Sequence, residues 1–85
     1  MLREKDIEEI AWEFVDTFID RGVVLSLLRW ENGNLIFNGD EKSWDKLVSY
    51  ARKKILDKYN LYPDELEMVD ELFDSFCFEQ VRQEV

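Results

Sequence analysis

The sequence predicts a small α+β domain with the order α-β-β-α-α, a two-stranded antiparallel hairpin packed on three helices. Three observations carry that prediction. Apolar residues recur at helical spacing in three separate stretches, an Asn32-Gly33 pair sits between two apolar runs, and 85 residues suit one core rather than two. The composition is 46% hydrophobic and 14% aromatic, with three Gly and one Pro. That is too apolar for a disordered tail and too poor in Gly and Pro for a linker. Residues 1–85 therefore read as a single domain.

The first helix is marked by Ile7, Ile10, Ala11, Phe14 and Phe18 on one face, widened by Val15 and Ile19. Asp6 and Glu9 form a plausible capping box. Gly22 stands where a left-handed stop is wanted, so this helix is expected to end near Arg21, and Val23 to Trp30 to form a strand. Asn32-Gly33 is the pair favoured at both positive-φ sites of a type I′ turn. With those two as the loop, Trp30 faces Leu35, Arg29 faces Ile36 and Leu28 faces Phe37.

One hairpin face would then be Leu28, Trp30, Leu35 and Phe37. The other would expose Leu25, Leu27 and Ile36. Asp40 or Ser43 can cap a second helix with the stripe Trp44, Leu47, Val48, Ala51, Ile55 and Tyr59. Pro63, followed by two acids, opens a third. Its inner stripe is Leu66, Met68, Val69, Leu72, Phe73 and Phe76, and it extends to about Gln80.

Charge is distributed unevenly around a net of −9 with no histidine. Residues 3–21 carry seven acids against three bases, residues 41–58 carry six bases against three acids, and residues 60–85 carry eight acids against Arg82 alone. Glu67, Asp70, Glu71 and Asp74 stand at i, i+3, i+4 and i+7, opposite the apolar stripe, with Asp64 one turn before. From Asp64 to Asp74 is about 15 Å, or roughly 3 Å per carboxylate. One strand of duplex DNA carries a phosphate every ~3.4 Å.

Glu9, Glu13, Asp16 and Asp20 make a second row on the first helix, bordered by Trp12. Phe78 falls amid the acids of the third helix, where an exposed aromatic suits an interface anchor. The basic middle helix is expected to pack between the two acidic ones and to pair with them at its edges.

Several chemistries are excluded. Without histidine the chain lacks the commonest general base and zinc ligand. Solvated carboxylates on a helix face lack the burial that tunes a general acid or base. Gly39-Asp40-Glu41-Lys42-Ser43 lacks the glycine that a phosphate loop places before Lys-Ser. Cys77 stands among Phe73, Phe76 and Phe78 without a histidine partner, and reads as a small core hydrophobe of a reduced, cytoplasmic protein. No enzyme activity, metal or cofactor is expected, nor any signal, anchor or membrane segment. Direct nucleic-acid binding is disfavoured because the acidic rows repel phosphates.

In size, acidity and lack of histidine the chain resembles, as a class, phage-encoded blockers of restriction or CRISPR nucleases and the immunity proteins of nuclease toxins. No family motif is matched residue by residue. The resemblance implies a non-catalytic inhibitor whose acidic rows, with Phe78 or Trp12 as apolar contact, occupy the basic nucleic-acid-binding groove of a protein partner. The alternative is a structural or adaptor module that dimerises through Leu25, Leu27 and Ile36, since both edges of a two-stranded hairpin are unpaired.

Overall fold

The computed structural model describes residues 4–83. Its elements are α1 (Glu4–Val24), β1 (Leu28–Glu31), β2 (Asn34–Phe37), α2 (Glu41–Lys58), α3 (Pro63–Gln80) and β3 (Val81–Gln83). The α+β architecture and the order of the first five elements are those expected. The sheet is not two-stranded, however: β3 adds to β2 in parallel, giving the order β1-β2-β3. Helices α2 and α3 together form the crossover that a parallel pair requires.

α1 begins before Asp6, so Asp6 does not cap it, and it runs past Gly22 to Val24. Gly22 is buried because β1 crosses the helix there: a Cβ on it would lie 2.2 Å from Leu28 Cδ1. The left-handed stop falls instead at Ser26, with φ of 61°. Ser26 donates its N–H to the Val23 carbonyl and Leu27 donates to Gly22, the paired bonds that close a helix end. Val23 to Leu27 thus belong to the helix and its cap, and β1 is shorter than predicted.

The hairpin register is the expected one, Leu28 with Phe37, Arg29 with Ile36 and Trp30 with Leu35. Asn32 and Gly33 both have positive φ, 51° and 82°, as a type I′ turn demands. Leu28, Leu35 and Phe37 point into the core. Trp30 remains 59% exposed at the sheet's rim.

α2 is capped by Asp40, whose Oδ1 accepts from the Ser43 N–H and hydroxyl, both at 2.8 Å. Those bonds, the backbone one first, hold the Asp40 carboxyl below its usual range. At the start of α3, Pro63 occupies the first turn and the Glu65 carboxylate accepts from the Tyr62 N–H at 2.9 Å.

Aromatic rings make the centre. Phe14 stacks on Phe73 at 4.1 Å, while Phe18 meets both Phe73 and Trp44 edge-to-face at 5.2 Å, and Trp44 meets Phe37 at 5.0 Å. Phe18, fully buried, therefore joins α1 to α2 and α3 at one point. The basic α2 does not lie between the two acidic helices. α1 is central and packs against both others, because its wide apolar face serves two neighbours.

Candidate functional site

α2 meets its neighbours at its edges by ion pairs, and these claim one carboxylate from each acidic row. Lys58 Nζ and Tyr59 Oη both donate to Glu13 on α1. Lys58 first and Tyr59 second hold the Glu13 carboxyl below its ordinary value. Arg52 Nη2 donates to Asp70 Oδ2 on α3 at 3.0 Å. Burial lifts the Asp70 carboxyl above its ordinary value, with Arg52 opposing and Asp74 adding. Two other cations of this region lie over a ring of α2: Arg21 at 4.7 Å and Lys54 at 5.5 Å from the Tyr50 centroid.

The remaining carboxylates of the rows stand differently. Asp64, Glu67, Glu71 and Asp74 on α3, and Glu9, Asp16 and Asp20 on α1, are all exposed. Among the described residues none of the seven has an ion-pair partner. Phe78 lies among the α3 group, 87% exposed, seven residues after Glu71 and four after Asp74, so the three share one outward strip of helix. Arg82 turns back to donate to the Glu79 carbonyl at 3.0 Å and the Phe78 carbonyl at 3.5 Å, where a cation offsets the helix end.

A groove of about 520 Å³ opens beside Phe78, floored by Phe37, Trp44, Cys77 and Val81 and rimmed by Asp40, Glu41 and Gln83. It exists because β3 and the amino end of α2 stand apart at the end of α3. No sequence signal marks it, since nothing local to Val81–Gln83 announces a strand. Cys77 is inert in this floor: burial first, and the Asp74 charge second, push its thiol up to about 12, so it is protonated at neutral pH.

Trp12 is 57% exposed and packs edge-to-face on Phe76 at 5.8 Å. That contact lies between α1 and α3, so the two acidic rows are not side by side. An apolar seam separates them. Leu72, expected in the core stripe, lines it and is 40% exposed, and Met68, expected there too and one turn earlier, is 43% exposed, because the Phe14–Phe73 stack turns the Val69–Phe73 side of α3 inward.

The expected apolar dimer face does not form. Leu25 lies in the helix-ending turn, and Leu27, partly buried against the core, lines with it a groove toward Ser43, Leu47 and Tyr50 of α2. Only Ile36 is a strand residue, half-buried between Arg29 of β1 and Arg82 of β3. The second edge of β2 is occupied by β3, so among the described residues the free edges are those of β1 and β3.

Among the described residues no three metal-ligating side chains converge, and no helix is long and apolar enough to cross a membrane. Compared with known family models, curated proteins and solved structures, the chain matches none.

Proposed function

We propose that this chain is a non-catalytic acidic protein that occupies the basic, nucleic-acid-binding groove of a protein partner and keeps nucleic acid out of it. The partner class is a restriction or CRISPR nuclease or a nuclease toxin. The observation carrying this reading is the outward strip of α3, where Phe78 stands among Glu67, Glu71 and Asp74 and none of the three acids has an ion-pair partner among the described residues. Like charges at helical spacing repel one another, so the strip costs the folded chain stability that a basic groove would return. Phe78 adds an apolar anchor at its end, and the adjoining groove gives room for partner side chains. The carboxylates supply long-range steering, which accelerates encounter with a cationic surface.

The test is capture on the immobilised chain from nuclease-treated lysate. A basic nucleic-acid-binding protein is expected to be retained at low salt, displaced by added DNA or RNA, and released near 0.5 M salt, where screening lengths fall to about 4 Å. The triple variant Glu67→Lys, Glu71→Lys, Asp74→Lys leaves the Arg52–Asp70 pair in place and is expected to capture at least about tenfold less. Undiminished capture by the folded variant would sink the reading.

A second reading, an adaptor that dimerises through the hairpin, is favoured by one observation: β1 carries an unpaired edge beside the exposed Trp30. Trp30→Glu, at that edge, is expected to halve the solution mass under that reading. An unchanged mass in a sizing measurement counts against it.

A further inference from the structure

We infer that the seam between α1 and α3 is a docking groove for a cationic amphipathic helix of a partner protein. The seam is apolar along its floor. Trp12 and Phe76 meet across it, and with Glu8, Ala11, Val15 and Leu72 they line a cavity of about 100 Å³; Met68, 43% exposed, stands one turn before Leu72 on the same side of α3. The cavity has about three times the volume a water molecule occupies in the liquid, room for one branched aliphatic side chain.

The banks are acidic on both sides. On α1, Glu8, Glu9 and Asp16 stand four, three and four residues from Trp12, and on α3, Asp64 stands four from Met68, so each adjoins the seam on the helix surface. All four are exposed and none has an ion-pair partner among the described residues.

Charge and shape together select the occupant. A nucleic acid or an anionic membrane is repelled by these banks, and a second copy of a chain of net charge −9 would bring the same carboxylates to face them. A groove walled by two helices accepts a third along the same direction by packing ridges into grooves. The run from Met68 to Phe76 is about 12 Å long, enough for two turns of such a helix. An apolar residue of the guest would enter the cavity beside Trp12, with Lys or Arg on both flanks facing the banks. This groove rests on the reading of the chain as an acidic interaction protein, but it lies on the flank of α3 away from the strip that carries Phe78.

The experiment uses the full chain and two synthetic peptides of about 18 residues. One places Leu at i, i+4, i+7 and i+11 amid Lys and Arg; the other has the same composition scrambled. The first is expected to bind at least about tenfold more tightly, to shift the Trp12 indole and Leu72 methyl resonances, and to leave Phe78 unmoved. Leu72→Lys is expected to weaken it at least about tenfold. Should that variant fail to fold, Glu8→Lys with Asp16→Lys, at exposed positions, carries the same expectation.

Equal affinity of the two peptides, no binding of either, or shifts confined to Phe78 and its neighbours would overturn the groove. The last outcome would leave the α3 strip as the charged contact surface. Failure of the blocking function is read separately, by capture with the triple variant of that strip.

Discussion

The carboxylates that look toward α2 and those that look away from it meet different surroundings although they come from the same two rows. Glu13 and Asp70 face the basic helix and are paired, with Lys58 and Tyr59 in one case and Arg52 in the other. Glu9, Asp16, Glu67, Glu71 and Asp74 face outward and have no such partner among the described residues. Row membership therefore does not set a carboxylate's role. The flank of the helix on which α2 docks does, because a cation neutralises only what lies within a few ångströms of it in water.

The largest effect is expected from removing what fixes α2 on that flank. Phe18 holds Trp44 of α2 and Phe73 of α3 against α1. Phe18→Ala is expected to cost about 3–5 kcal/mol, a fall of at least about 12 °C in melting temperature for a domain of this size. With the aromatic junction gone, the paired and outward carboxylates should lose their distinction, seen as loss of the separate Glu13 and Asp70 side-chain signals by NMR. A melting temperature within a few degrees of the parent would show that other contacts orient α2.

A sharper division comes from the outward strip. The triple reversal of Glu67, Glu71 and Asp74 removes repulsion that no ion pair among the described residues offsets, so it should leave the melting temperature unchanged or raised while partner capture falls. A clear loss of stability would mean that these acids are paired in the fold.

The smallest effect concerns the paired side. Glu13 releases its proton more readily in the folded chain than its ordinary 4.5, chiefly because Lys58 and then Tyr59 donate to it. A carboxyl lowered by folding contributes stability that is complete above its unfolded value and is lost as pH falls through its folded one. Glu13→Gln should therefore give a shallower loss of stability below about pH 4.5 than the parent shows. Superimposable acid limbs in denaturant titrations at stepped pH would remove the pair from the account.

Much of the fold is legible in the chain's local signals. The Asn32-Gly33 turn dictates the hairpin register residue for residue, because a type I′ turn leaves no freedom in pairing. Asp40 and Pro63 mark the starts of α2 and α3 for reasons local to the chain. Gly22 misleads, since a glycine that ends a helix and one that lets a strand cross it look the same in sequence. Ser26, which carries the left-handed conformation, has no side chain that announces it.

In the candidate site, the acidic rows and the position of Phe78 follow from helical periodicity alone. The exposure of Met68 and Leu72 does not. The apolar face of α3 is wider than the surface α1 can cover, and only the stacking of Phe73 on Phe14 decides which part of it stays in solvent.

Sequence by itself determined the helices, the turn and the two lines of charge, because caps, turn residues and periodicity act between neighbours a few residues apart. Tertiary structure alone decided three further things: that α1 rather than α2 is central, that Val81–Gln83 becomes a strand, and that an apolar seam parts the two acidic rows. Each depends on residues far apart in the chain competing for one core. A three-residue segment has no strand preference of its own until the open edge of β2 offers its backbone hydrogen bonds.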